Sequence, residues 1–321
     1  MRRRELVGSI VAAGLAARPA SAQGKAFRIG LLVTGSGPHP IEQELPRALA
    51  ALGYRIGTDF SIDARYADRQ SDRAAALASE LVAAKVDMIV THFTPATRAA
   101  KQATATIPIV MAPVGAPVEA GLVASLARPG GNVTGITNLG AEIGGRRLQV
   151  LRDLIPSLKT VAVLASSEDP FARVLVADLQ QAAPDAGVAI APHYYGPSRT
   201  LESAFEAIGK GSVQAIVLQG GGTGALRTQA LRMAADRGLP VMTSEADSVR
   251  EGALVCVIGS EAEIYRRAAS FVDRIRRGAK PQDLPVEQPT STVLTINRTV
   301  ARRLGLPIPL HLQAAADELI D

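Results

Sequence analysis

Tryptophan is absent from this 321-residue chain, aromatic residues make up 3% of it, and cysteine occurs once, at Cys256. One cysteine excludes an internal disulfide, even for a chain bound for an oxidising compartment. Cys256 sits in the apolar run Ala253-Leu254-Val255-Cys256-Val257-Ile258, where a small buried hydrophobe is expected rather than a reactive thiol. The histidines, His39, His92, His193 and His311, have no metal-ligand spacing, so no metal site is expected. No G-x-S-x-G elbow is present; Thr34-Gly35-Ser36-Gly37-Pro38 is one residue short of it. No catalytic residues are assigned, and an enzyme is not expected. Basic runs of five or more are missing, which argues against nucleic acid or an anionic membrane as partner.

What is present begins at the N-terminus. Met1-Arg2-Arg3-Arg4 is followed by an apolar stretch from Leu6 to Ala17, then by Ala20-Ser21-Ala22 before Gln23. A basic start, an apolar centre and a small-residue A-x-A end make an export signal, expected to span residues 1–22. The apolar centre is far shorter than the ~20 residues needed to span a bilayer. Arg-Arg-x-x-Leu-Val also resembles a twin-arginine signal, so export by either general route is open. Removing residues 1–22 takes away four arginines and one glutamate, and the net charge falls from +5 to +2. No cysteine follows the signal, so the product is expected free in the periplasm, without a lipid anchor and as a monomer.

The rest of the chain alternates short β-branched runs with longer Ala/Leu/Arg-rich runs at helical spacing. Phe27–Val33, Phe60–Tyr66, Val86–Val90 and Ile107–Met111 read as strands. Ile41–Leu52, a helix capped by Ser71, and Pro95–Thr106 read as the helices between them. The order repeats from Leu148 to Met242. Helices of this length between strands mean βαβ units and parallel sheets, and runs such as Ala215–Leu218 suit strands covered on both faces. Between the two series lies Arg128-Pro129-Gly130-Gly131-Asn132-Val133-Thr134-Gly135, and a first crossing between lobes is expected over Asn132–Asn138. Further crossings are expected near Val257–Ser260 and Pro285–Thr292. The fold class is therefore α/β, with two Rossmann-like lobes joined by a hinge. One lobe comprises residues 23–134 plus about 260–288, the other 139–256 plus about 292–321.

Open α/β sheets bind ligands at the carboxyl ends of their strands. The loops there point to Ser36, Phe93, Thr94, Gly115, Ser166, Gly222, Thr223 and Glu245 as the ligand-binding set. They supply hydroxyls, backbone N–H groups at helix starts, one ring and one carboxylate. Gly220-Gly221-Gly222-Thr223-Gly224-Ala225 also fits G-x-G-x-x-A between a strand and a helix. That fingerprint normally opens a first βαβ unit and here comes late, so turn chemistry is the better account and no cofactor is assigned.

Three further stretches carry a family likeness. Ala99–Met111, Val114–Val118 and Gly121–Gly135, with the ending Leu304–Pro309 and Ala316-Asp317-Glu318, resemble the ABC-transporter substrate-binding family that includes tryptophan-import binding proteins. The resemblance implies a type I periplasmic-binding fold, a small molecule held between two lobes, and delivery to an ABC permease. Gly115-Ala116-Pro117 stands where Gly-Asp-Pro is common in that family, and Gly220–Thr223 replaces a loop that often carries an acid and Asn. The implied ligand is accordingly an amino acid, an aromatic acid or another organic acid. An exported nucleotide-cofactor oxidoreductase using Gly220–Ala225 and a ligand-sensing module are the alternatives.

Overall fold

The structure, a computed structural model, describes residues 26–68, 70–137, 143–169, 171–209, 212–220 and 226–321. Strands β1 (Phe27–Val33), β2 (Phe60–Tyr66), β3 (Met88–His92), β4 (Ile109–Val114) and β5 (Val133–Thr137) form a parallel sheet in the order β2-β1-β3-β4-β5. β1 is apolar and buried from Ile29 to Val33 because helices cover both of its faces. Leu31 and Val33 pack with α1 (Ile41–Ala51) and with α9 (Glu261–Arg276), while Leu32 packs with α2 (Ser71–Ala83) and α3 (Phe93–Ala103).

The second sheet holds β6 (Thr160–Ser166), β7 (Ala189–Tyr195), β8 (Ala215–Leu218), β9 (Val241–Thr243), β10 (Val255–Gly259), β11 (Thr292–Asn297) and β12 (Glu318–Ile320). Their order is β12-β11-β10-β9-β8-β6-β7, and among the described strands β11 alone pairs antiparallel, with β10. α4 (Ile143–Leu154), α5 (Phe171–Ala186), α10 (Arg298–Arg303) and α11 (Leu310–Ala315) bury one face. α6 (Leu201–Gly209) and α7 (Arg227–Ala235) bury the other. A short α8 (Ala246–Arg250) follows β9. Cys256, 1% exposed, lies in this sheet, and burial pushes its thiol up to about 12.

The chain passes between the sheets three times. After β10 it forms α9, which packs on α1, β4 and β5 of the first sheet. It then runs beside β5, where Glu287 N–H donates to the Gly135 carbonyl (2.9 Å) and accepts at its own carbonyl from Thr137 N–H (2.9 Å), before re-entering the second sheet as β11. These second and third passages are clasped together. Ser260 N–H donates to the Ser291 carbonyl at 2.9 Å, and the Glu263 carboxylate accepts from Thr290 N–H (3.1 Å), Thr290 Oγ1 (2.9 Å), Ser291 N–H (2.9 Å) and Ser291 Oγ. Arg267 bridges Glu263 (2.6 Å) and Glu287 (2.9 Å). Burial alone would raise the pKa of Glu263, but the donors on Ser291 and Thr290 outweigh it and pull it down to about 2.

The segment expected as the first crossing is a strand instead. Val133–Thr137 pairs with β4, so the passage falls beyond Thr137, and Asn138 lies outside the described residues. The turn-forming residues concealed a β-branched run. Gly135 is needed in it because, at φ +131°, an added Cβ would stand 2.4 Å from the Met111 carbonyl oxygen. Ser71 is the first residue of α2 rather than its cap, a position taken by Gln70. α3 starts at Phe93, two residues before the expected Pro95. The export signal also lies outside the described residues. Among those described, no helix is long and apolar enough to cross a membrane.

Candidate functional site

The carboxyl ends of both sets of strands face one crevice. Its larger chamber, about 530 Å³, is lined from the first lobe by the loop after β1 (Thr34 to Pro40) and by His92 and Phe93. From the second lobe come Arg227, Ser244, Glu245, Asp247, Arg250 and Glu318, with Glu261 at the start of α9. A much smaller space of about 20 Å³ adjoins it, between Phe93, Thr94, Gly115, Asp169, Phe171, Gly220, Ser244 and Glu245.

The first wall is made of rings and hydroxyls, with no carboxylate or guanidinium among its described lining residues. Thr34 Oγ1 donates to the His92 carbonyl (2.8 Å) and accepts from Ala96 N–H (3.3 Å), which ties the β1 loop to the start of α3. That bond holds His39, His92 and Phe93 in a run of contacting rings, with centroids 4.2 and 3.9 Å apart. Phe93 takes φ +68°, a left-handed conformation that costs a non-glycine residue ~1–3 kcal/mol and recurs at ligand sites. The Thr94 hydroxyl donates to the Gly115 carbonyl at 3.2 Å.

The second wall is ionic. Arg227 Nη1 meets Glu245 at 2.8 Å and its Nε meets Glu251 at 2.8 Å, with the Arg227 and Glu245 side chains only 12% and 10% exposed. Arg250 joins Glu318 (2.6 Å) and lies 3.6 Å from Asp247. Asp169 accepts from Phe171 N–H (2.9 Å) and from Gln219 Nε2 (2.8 Å). Burial pushes the Asp169 carboxyl above its ordinary range, opposed by Phe171 N–H, Arg98 and Gln219. Glu261 is raised as well, by burial and by the charge of Asp247. The Tyr195 hydroxyl is raised by burial, then by Asp169 and Glu245.

The structure brings Ser36, Phe93, Thr94, Gly115 and Glu245 together on this crevice. Ser166 lines neither space: it is 7% exposed, its N–H donates to Gln219 Oε1 (2.9 Å), and its Oγ accepts from Glu168 N–H (3.3 Å). Its hydroxyl is spent on the turn that follows the strand and its N–H on Gln219 beyond the neighbouring β8. Gly222 and Thr223 lie outside the described residues. Glu245, expected to supply the one carboxylate of the ligand-binding set, is ion-paired with Arg227. Sequence reasoning missed Asp169, Phe171, Arg227 and Ser244. Asp169 left one local signal, an Asp placed two residues before a helix start, where a side-chain oxygen can take the first free N–H.

A family model described as ABC transporter substrate binding protein matches residues 29–320. The chain belongs to that family. It is a solute-binding receptor that captures a small organic ligand between its two lobes for an ABC permease. A tyrosine-binding protein of Clostridioides difficile (strain R20291) is 28% identical over 265 residues, covering 81% of this chain and 75% of that protein. The ABC domain solved in complex with L-Trp from Streptococcus pneumonia superposes with a TM-score of 0.81 and 25% identity, covering 92% of this chain and all of that one. A conserved domain protein from Vibrio cholerae gives 0.80 and 27%, with the same coverage.

Proposed function

We propose that the crevice takes an amino acid or related organic acid with a planar side group, and that the two lobes close on it about the three passages between sheets. The observation that carries this is the 530 Å³ chamber, with contacting rings on one wall and ion pairs on the other. Its volume falls in the range of about 300–1,000 Å³ usual for small-molecule sites. A flat apolar group suits the rings of His39 and Phe93, and the charged ends of a zwitterion suit Arg227, Glu245 and the N–H groups at the helix starts. The relatives named for tyrosine and solved with L-Trp support the same ligand class.

The moving bodies are residues 26–137 with 261–287, and residues 143–259 with 292–321, following sheet membership. The chain acts as a monomer without catalysis, and residues 1–22 direct its export to the periplasm. N-terminal sequencing of exported protein should begin at Gln23.

A thermal-shift screen over amino acids, aromatic acids and short acyl acids tests the ligand. A compound at 100 times its Kd should add about 2.7 kcal/mol to stability, with aromatic amino acids ahead of aliphatic ones. No shift from any of them, with a stoichiometric flavin or nicotinamide spectrum in the purified protein, would overturn the proposal.

A further inference from the structure

The lobes already touch inside the crevice at a point that involves no ligand. Phe171, the first residue of α5, lays its ring over Gly115 at the end of β4. A methyl group added at Gly115 would stand 2.6 Å from the ring's Cδ2 and 2.9 Å from its Cγ. Phe171 is 4% exposed, and Ala116, beside Gly115 in the first lobe, packs into the apolar cluster of the second. The contact is therefore an apolar seam between lobes, fitted closely enough that only glycine is accommodated opposite the ring.

Each partner is fixed from behind by its own lobe. Asp169 accepts from Phe171 N–H (2.9 Å) and from Gln219 Nε2 (2.8 Å), and Gln219 Oε1 accepts from Ser166 N–H (2.9 Å). On the other side Thr94 Oγ1 donates to the Gly115 carbonyl (3.2 Å), and Ala116 is held at φ +48°. The space left next to the ring, about 20 Å³, has room for roughly one water, while the 530 Å³ chamber beside it stays open.

We propose that Phe171 is a ligand-independent latch: its ring, seated on Gly115, holds the two lobes closed and thereby sets the affinity for whatever ligand the chamber takes. The inference rests on the receptor reading above, because a latch has meaning only if the lobes open. Its effect on binding follows from populations. A ligand that needs the closed form binds with an apparent Kd equal to its intrinsic Kd divided by the closed fraction. Phe171 raises that fraction without touching the ligand.

The test uses the full chain with no ligand added, spin-labelled at Ser79→Cys on α2 and Gln180→Cys on α5, both exposed positions. Cys256 is buried and stays unlabelled. Pulsed electron resonance should show one dominant interlobe distance in the parent. Phe171→Ala should lengthen and broaden it, lowering the closed-to-open ratio by about tenfold or more, as when a buried aromatic anchor is removed from an interface. Gly115→Ala should open the parent similarly, yet add nothing in the Phe171→Ala background, where the ring it would strike is gone. Phe171→Leu keeps apolar volume in the second lobe, so if Phe171→Ala does not fold, an intermediate opening in Phe171→Leu carries the test. A parent as open as Phe171→Ala, or Gly115→Ala opening both backgrounds equally, would overturn the latch. The two proposals fail separately: a ligand found for a protein whose free form is open sinks the latch alone. A latched protein that binds no screened compound sinks the ligand assignment alone.

Discussion

The wall that the first lobe turns to the crevice is held by hydroxyl hydrogen bonds to backbone groups, whereas the second lobe's wall is held by ion pairs between side chains. Thr34 fixes His92 through the backbone, and Thr94 fixes Gly115, so the neutral wall comes from hydroxyls that tie three strand ends together. The opposite wall needs Arg227 of α7 to meet Glu245 and Glu251, and Arg250 to meet Glu318 at the far end of the chain. The neutral wall thus needs the ends of β1, β3 and β4 to come together in the first sheet. The charged wall exists only once the second sheet has assembled, and its energy depends on burial. Exposed pairs such as Arg250 with Glu318 contribute ~0–1 kcal/mol, while a buried carboxylate left without its partner costs several.

The sharpest way to break the contrast is Arg227→Met. It strands Glu245 at 10% exposure, and a loss of about 3 kcal/mol in urea unfolding is expected. Arg227→Lys should recover only part, since an ammonium cannot serve Glu245 and Glu251 in the same fork. A stability change below ~0.5 kcal/mol in Arg227→Met would show that the second wall does not need the pair.

Next in size is the joint beneath both walls. Glu263→Gln keeps the shape but loses the charge that Thr290 and Ser291 donate to, at an expected cost of about 2 kcal/mol. The pH dependence has a defined sign. The folded pKa of about 2 lies below the ordinary 4.5, so this stabilisation is complete above pH 4.5 and is lost as pH falls through 2. Acid titration of thermal unfolding should show that loss in the parent and a shallower slope in Glu263→Gln.

Smaller effects belong to the neutral wall. Phe93→Ala should weaken an aromatic amino acid by about tenfold, through lost ring contact, and an aliphatic one much less. Calorimetric titration of both ligand types decides whether the ring run recognises planar groups. Smallest is Thr94→Val: the hydroxyl serves the Gly115 carbonyl, so stability should fall by about 1 kcal/mol while ligand affinity changes little. A large affinity loss with unchanged stability would mean that Thr94 bonds the ligand directly.

Burial and its periodicity explain how much of the fold is legible in the sequence. β1, β2 and α5 appear where apolar periodicity places them, because each buries both faces or one stripe and spacing records burial. Phe93, Thr94 and Gly115 were expected at strand ends, and the structure sets them directly after β3 and β4 on the crevice. Ser166 met the same criterion and turned inward, since position at a strand end does not tell where a hydroxyl finds its partner. β5 was concealed by the glycine and asparagine around it, and β12 by being only three residues long.

By itself the sequence determined the alternation of elements, the parallel sheets and the doubling into two lobes, all of which follow from periods and turn signals within a few residues. The tertiary structure alone decided that Arg227 neutralises Glu245, that Glu263 clasps Thr290 and Ser291, and that Phe171 closes over Gly115. These contacts span 18, 27 and 56 positions, and their strength comes from shared burial, a property of where distant segments meet and not of the segments themselves.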